Sequence, residues 1–286
     1  MGELPQAVVS GVLIGCVYAL LAVGLALIWG VMDVVNFAHG NFLMVAMYAT
    51  FFAWSFLGLD PLLGTVIAVL VLVALSLATF FVAIRPVLRG TLLSQMVVTF
   101  GLLLLLQGAA QLLFTPSARA VAHPWLEGVR VVVGGVVLGG PQLGAAAAAI
   151  MGLVALWWLL NRTEVGLAIR AVAQDRKAAE VMGIQPDRIF AITWAISGAC
   201  VGLAGAMLMN FYAVDPAVGF QFGLIAFVVV ALGGFGSLRG ALLAGVAMGA
   251  TQVVVGLYVP AYGLAAIFVL YLLVFLIRPR GLLGAY

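Results

Sequence analysis

Nine apolar runs, at roughly 7–29, 36–57, 62–84, 91–114, 143–160, 189–210, 223–238, 240–257 and 263–277, follow one another along the chain, most of them with only short polar gaps between. Crossing about 30 Å of hydrocarbon takes roughly 20 apolar residues in a helix. Inside lipid each backbone N–H and C=O needs a partner within its own segment, which helices of this kind supply. The pattern predicts an all-α, polytopic membrane helical bundle with eight or nine spans, forming a single transmembrane domain over 1–286. The doubtful span is 223–238. Its apolar part stops near Leu232 at the glycine-rich GGFGSLRG (233–240), which predicts a broken or re-entrant helix.

Only 7% of residues are charged and the mean hydropathy is +1.30, which excludes a soluble globular protein, where charged residues make up about a quarter. The scarce charge is unevenly placed. Arg162 to Arg188 carries nine of the twenty-one charged residues. Within it, Val165, Ile169 and Val172 fall at helical spacing, Asp175 can cap a second short helix from Arg176 to Met182, and Gly183 with Pro186 ends it. A short helix pair with mixed charge suits a grip on a soluble partner better than a passage through lipid. Residues of about 161–188 therefore form a cytoplasmic coupling loop in this reading.

Alternating the spans away from that loop puts Arg85, Arg89, Arg239, Arg278 and Arg280 on its side, ten of the twelve Lys and Arg in all. The positive-inside rule makes that side cytoplasmic, with the N-terminus outside and the C-terminus inside. The opening MGELPQAVV has no Lys or Arg before the first apolar run and does not read as a cleaved signal peptide. A net charge of +3 arises from basic residues at membrane edges, so nucleic acid is not an expected partner. On the outer side, an external loop of about 115–142 contains VRVVVGGVVLGG, which alternates around Gly134-Gly135 like a small hairpin. It either closes over helix ends or offers a docking surface to an external protein.

Asp33, Asn36, His39 and Asn41 stand at the start of the second apolar run, with Asp33, Asn36 and Gly40 at helical spacing. Polar groups at membrane depth normally face a cavity or another helix. Asn36 and His39 read either as a polar lining of a translocation path or as structural groups, one capping a helix and the other meeting a neighbouring carbonyl. GGFGSLRG is no phosphate loop, because the sole Lys of the chain is Lys177 and a Walker A loop needs Lys followed by Ser or Thr. It reads as a kinked helix on the pathway or as a tight interhelical turn with Arg239 at the cytoplasmic surface. IWGVMDVVNFAHGNFLMVA (28–46) and LGGFGSLRGALLAGVA (232–247) echo each other weakly, since each places a glycine-containing break before a helix. With two histidines, His123 being in the outer loop, no catalytic set can be assembled. Cys16 and Cys200 lie within spans and lack metal or disulfide spacing.

Three stretches, GVMDVVNFAHGNFLM (30–44), GLAIRAVAQDRKAAEVMGI (166–184) and ALGGFGSLRGALLAG (231–245), resemble the H-type inner-membrane permease of bacterial branched-chain amino acid ABC importers, and the resemblance runs through nearly the whole chain. It implies an ABC importer permease fold and a multi-pass protein of the bacterial inner membrane. It implies that Arg170, Asp175, Arg176, Lys177, Glu180 and Gly183 couple to the ATPase, and that Asn36, Phe37, His39, Gly40, Gly233, Gly234, Gly236 and Ser237 belong to the pathway. The implied partners are a second homologous permease, two ATPase subunits that carry ATP and magnesium, and an external substrate-binding protein; this chain binds no cofactor itself. Two departures stand out. The wider superfamily's coupling motif begins Glu-Ala-Ala, where this chain has Lys177-Ala178-Ala179, and Arg239 replaces a residue that is often smaller or non-basic. The implied cargo is a branched-chain or other mainly apolar amino acid, moved by alternating access; urea or a short amide is the alternative, and an autonomous secondary transporter or channel the less favoured class.

Overall fold

The computed structural model describes residues 3–234, 236–278 and 281–283. Arg280, counted above with the cytoplasmic basic residues, and Phe235 within GGFGSLRG lie outside the described residues. The first helix, α1, is Glu3–Met32, and at 1.5 Å per residue its thirty residues run about 45 Å. Next come α2 (His39–Leu57) and α3 (Pro61–Thr79), the latter continuing through a π-helical turn, Phe80–Ile84, into the short α4 (Arg85–Val87). After α5 (Leu92–Phe114) come strands β1 (Arg130–Val133) and β2 (Val136–Gly139), then α6 (Gly140–Arg162). The charged segment folds as α7 (Glu164–Gln174) and α8 (Arg176–Val181). The chain ends with α9 (Pro186–Leu208), α10 (Val218–Gly233), α11 (Leu238–Tyr258), a 3-10 turn and α12 (Gly263–Ile277). Among the described residues eight helices are long and apolar enough to cross a membrane, and the 16-residue α10 is a shorter apolar helix. The chain is a multi-pass membrane protein.

Helix α1 runs through the centre, with α2 and α9 the other well-buried spans, while α5, α6 and α12 present mostly exposed faces of Leu, Val and Phe to the surroundings. Between helices in lipid there is little hydrophobic drive, so small residues that let backbones close up supply the attraction. Gly11 and Gly15 of α1 lie against Ala250 and Gly245 of α11, and Gly245 meets Ala19. Helix α2 meets α10 in the same way at Gly40, Gly219 and Gly223. Thus α1 packs on α11 and α2 on α10, so exchanging α1–α2 for α10–α11 reproduces the pairing.

One end of the bundle gathers Arg85, Arg176, Asp187 and Arg188 around a groove; we call it the basic end. At the opposite end residues 115–139 lie across the helix termini. Asp60 caps α3 by accepting from Leu62 N with Oδ1 (2.9 Å) and holds the loop by accepting from Trp125 N with Oδ2 (2.7 Å). Arg119 and Val214 pair as an isolated antiparallel bridge. The strands form the hairpin expected around Gly134 and Gly135, whose φ values of 58° and 86° fit a type I′ turn. Gln6 fastens it by donating to Val137 O (2.6 Å) and accepting from Val137 N (2.7 Å). The loop thus closes over the helix ends.

Three expectations change. The run at 223–238 is not a helix broken midway: α10 is continuous over Val218–Gly233 and the break follows it, because Gly234 and Gly236 take φ of 97° and 77°. GGFGSLRG is therefore an interhelical turn and not a kinked helix, with Ser237 Oγ capping α11 by accepting from Gly240 N (3.1 Å). Asp33, Asn36 and Gly40 do not share a helix face, because Asp33 has φ 54° and no helix forms over residues 33–36.

Candidate functional site: a break at membrane depth and a capped hairpin

Residues 33–38 run back into the bundle before α2 begins. His39 Nε2 donates to the carbonyl of Leu21 (2.9 Å), so α2 starts level with a residue eleven positions before the end of α1, about 16 Å from that end. The break is nevertheless well buried, with Val34, Asn36 and Ala38 all at 0% exposure. Irregular backbone survives at such depth only where protein satisfies it. Thr99 Oγ1 donates to Val35 O (2.8 Å), Asn36 Oδ1 accepts from Ala38 N (3.1 Å), and Asn41 Nδ2 donates to Leu103 O (2.9 Å). Two of these bonds come across from α5 or reach it, so the break also ties α5 to the core.

Not every group is satisfied. Asn36 Nδ2, His39 Nδ1 and Asn41 Oδ1 are buried without a hydrogen-bond partner among the described residues. Because Nε2 of His39 donates to a carbonyl, its Nδ1 is left as a bare acceptor. Buried unpaired polar atoms are uncommon, and three of them within six residues make this a place where a polar visitor or water would find partners. The Phe37 ring lies 5.4 Å from that of Phe227 and edge-on to Phe100 at 6.3 Å. Gly40 leaves no room for a side chain, because a Cβ there would overlap the carbonyl of Gly219 and the backbone of Gly223.

Gly233, Gly234, Gly236 and Ser237 sit at the basic end, apart from His39 and Gly40. Gly236 packs on Gly30 near the end of α1, and Leu282 N and Leu283 N donate to the carbonyls of Leu232 (2.7 Å) and Gly233 (3.1 Å). The two breaks, far apart in sequence, thus bracket the last turns of α1.

The charged segment builds a separate unit. Thr163 caps α7 by accepting from Gly166 N (3.1 Å), and Asp175 Oδ1 caps α8 by accepting from Lys177 N (2.9 Å) and Ala178 N (3.0 Å). Gly183, at φ 86°, ends α8, and Ile184 N returns to Ala179 O (3.0 Å). Gly166, Ile169 and Val172 turn inward, whereas Val165 is 38% exposed; its place in the apolar stripe is taken by Gly166, which fits against the last turn of α6. Arg170 Nη1 donates to Leu160 O (2.7 Å) and Asn161 Oδ1 (3.2 Å), clamping α7 to α6. Arg176 stacks over Phe190 (4.9 Å) and lies 3.9 Å from Asp187, which pairs with Arg85 at 3.0 Å. Lys177 and Glu180 face outward. Of the residues expected here, Arg170 and Asp175 hold the hairpin together, Arg176 joins it to α9, and Lys177 and Glu180 are its free charges.

Sequence reading passed over Val181 and Met182, which are 86% and 81% exposed at the tip of α8. Their signal lay in the pattern: apolar residues after Glu180 and just before the terminating glycine, on a helix whose inward contact is already made by Ala179. Beside them a groove of about 870 Å³ is lined by Phe81, Arg85, Arg89, Glu180 and Asp187 among others. Among the described residues no group of three or more His, Cys, Asp or Glu could hold a metal ion.

The model of the family described as "branched-chain amino acid transport system / permease component" matches residues 7–277. The chain is 33% identical to the high-affinity branched-chain amino acid transport system permease protein LivH of Escherichia coli (strain K12), over 98% of this chain and 95% of that protein. It is 32% identical to the corresponding permease BraD of Pseudomonas aeruginosa over the same shares. The fructose import permease protein FrcC of Rhizobium meliloti is 32% identical over 32% of this chain and 28% of its own length. No solved structure matches the chain.

Proposed function

The chain belongs to the branched-chain amino acid transport permease family, and from that membership we propose that it is the membrane permease subunit of an ATP-driven importer for branched-chain or other mainly apolar amino acids. The basic end lies in the cytoplasm, since Lys and Arg gather there, and the N-terminus of α1 lies outside. The protein resides in a bacterial inner membrane and works with a second homologous permease, two ATPase subunits and an external binding protein. ATP and magnesium belong to the ATPase subunits.

The observation that carries this reading is the α7–α8 hairpin. A six-residue helix is far too short to hold its shape alone, yet Asp175, Gly183 and the Arg176–Phe190 contact fix it with Val181 and Met182 pointing out. A rigid, capped projection with an apolar tip and flanking charges is a handle that a soluble subunit can push. Movement of the hairpin reaches α9 and, through Arg85 and Asp187, the end of the α3 span. Asn36, Phe37, His39 and Gly40 line the inner part of the passage, and the Gly233, Gly234, Gly236 and Ser237 turn acts as the second pivot beside Gly30. Alternating access follows when closure of the ATPase pair tilts these elements together.

The test is purification from membranes in mild detergent followed by uptake in proteoliposomes. Two Walker A ATPases and a related permease should accompany the chain, Val181→Asp with Met182→Asp should release the ATPases, and leucine should be imported in competition with isoleucine and valine. Import inhibited by urea or a short amide and not by leucine would move the chain to that substrate class. Transport by the chain alone, with no ATPase present, would make it an autonomous carrier.

A further inference from the structure

A second cavity, of about 700 Å³, opens at the end opposite the basic groove, between α1, α10, α11 and the turn at 260–263. Its wall follows one side of α1 downward from Gln6 through Ser10 and Ile14, and its floor carries Tyr212, Gln221 and Gln252. Buried Tyr18 donates to Gln252 Oε1 (2.7 Å), and along α1 the lining runs from Glu3 to Ile14, about 16 Å of helix. Three carboxamides, Gln6, Gln221 and Gln252, lie at or along the cavity, and exposed Glu3 in the first turn of α1 adds a carboxylate to the lining, a further acceptor for an ammonium group. Gln6 is occupied by the β2 backbone, but among the described residues Gln221 makes no hydrogen bond, and Gln252, with its oxygen engaged by Tyr18, keeps its amide N–H groups free. Side chains of this kind at membrane depth face a cavity or a polar ligand.

We propose that this chamber receives the amino acid on the outer side, holding an uncharged-overall zwitterion before it passes inward; this rests on the importer reading above. A zwitterion has no net charge to balance, so it is best met by dipoles that offer donors and acceptors at once, which is what carboxamides and hydroxyls supply. Gln252 Nε2 and the Tyr212 hydroxyl are the donors for a carboxylate, the Gln221 oxygen the acceptor for an ammonium, and Ile14, Val253 and Leu264 the wall for an apolar side chain. Tyr18 is a positioning residue: its hydroxyl orients Gln252, and its ring rests edge-on to Phe222 at 6.1 Å.

The floor also explains where the passage goes next. Gln221 lies between Gly219 and Gly223, the glycines whose backbone meets Gly40 at the start of α2. Gln221, two residues from each, faces the other side of the helix, so α10 itself stands between the chamber and the break at 33–38 with its unpaired Asn36, His39 and Asn41 atoms. A glycine-to-glycine crossing has no interlocked side chains to resist sliding, and a shift of α10 along α2 would open one side as it shuts the other.

The test uses the assembled importer with Cys16→Ala and Cys200→Ala, both native thiols being buried, and Ser10→Cys added, a near-isosteric change in the chamber wall at a residue given no contact with the amino acid. The membrane-impermeant thiol reagent MTSES should label position 10 from outside, labelling should abolish leucine uptake, and leucine-loaded binding protein should slow the labelling. Gln252→Leu should lower uptake about tenfold or more while ATPase subunits still co-purify, and Gln252→Asn should recover part of it. Position 10 unreactive in the importer but reactive in the chain alone would make the chamber a seam with the second permease and overturn the proposal. So would labelling without loss of uptake, or Gln252→Leu at the wild-type rate. Failure of the wild-type importer to move leucine, isoleucine or valine would overturn the importer's substrate, a result read before any variant is made, and the zwitterion assignment would fall with it.

Discussion

The break before α2 and the hairpin after α6 are both short interruptions between long helices, but opposite forces hold them. Residues 33–38 have no regular structure and survive because α1, α5 and α10 supply hydrogen bonds and a glycine crossing from distant parts of the chain. Residues 163–184 make most of their own bonds, through Thr163, Asp175 and Gly183, and need the bundle only for the inward stripe of Gly166, Ile169 and Val172. A segment built this way keeps its shape while it is pushed. One that relies on its neighbours changes when they move, and in a transporter the first suits a handle and the second a gate.

The sharpest way to break this contrast is to crowd the gate. Gly40→Leu places a side chain into the backbone of Gly219 and Gly223, and overpacking of a dry core costs about 1–3 kcal/mol or more. Loss of the folded bundle, read as a lower midpoint of thermal unfolding in detergent, is expected; wild-type stability would mean α2 and α10 are not in contact. Next, Asn41→Leu leaves the Leu103 carbonyl to its helical partner alone and unties α5, with an expected cost of about 1–3 kcal/mol and faster proteolysis near α5. An unchanged cleavage pattern would show that α5 is held otherwise.

On the handle, Asp175→Ala removes both cap bonds of α8 and should cost about 0.5–2 kcal/mol locally, with ATPase capture weakened and the bundle unaffected. Asp175→Asn should retain most of both. If Asp175→Ala lowered global stability as much as Gly40→Leu does, the two regions would not differ as described. Asp187→Asn breaks the pair with Arg85, whose side chains are about half exposed, and should cost no more than about 1 kcal/mol, less at high salt. The smallest effect has the opposite sign: nothing lies within 4 Å of a Cβ built on Gly101 in α5, so Gly101→Ala should leave stability unchanged or raise it by up to about 1 kcal/mol.

Features that depend on neighbours in sequence were readable in advance. The cap at Asp175 sits within three residues of the groups it serves, and Gly134-Gly135 marks its turn by its own conformational freedom. Val181 and Met182 were missed because nothing local says which face of a six-residue helix is free. In the polar cluster at 33–41 the sequence spacing points to a helix face, and spacing alone does not reveal that Asp33 leaves the helix with a positive φ. Gln221 and Gln252, thirty-one positions apart, gave no signal at all as a pair.

The sequence by itself determined that this chain crosses a membrane many times, where its charge lies, and that a capped polar hairpin interrupts the apolar runs, because hydropathy, charge asymmetry and capping act over a few residues. Only the tertiary structure decided that α2 starts in mid-bundle, that the break after α10 is a turn resting on Gly30, and that Gln252, held by Tyr18, lines one cavity with Gln221. Those facts arise from contacts between helices hundreds of atoms apart along the chain, chosen by which glycine faces allow the closest approach.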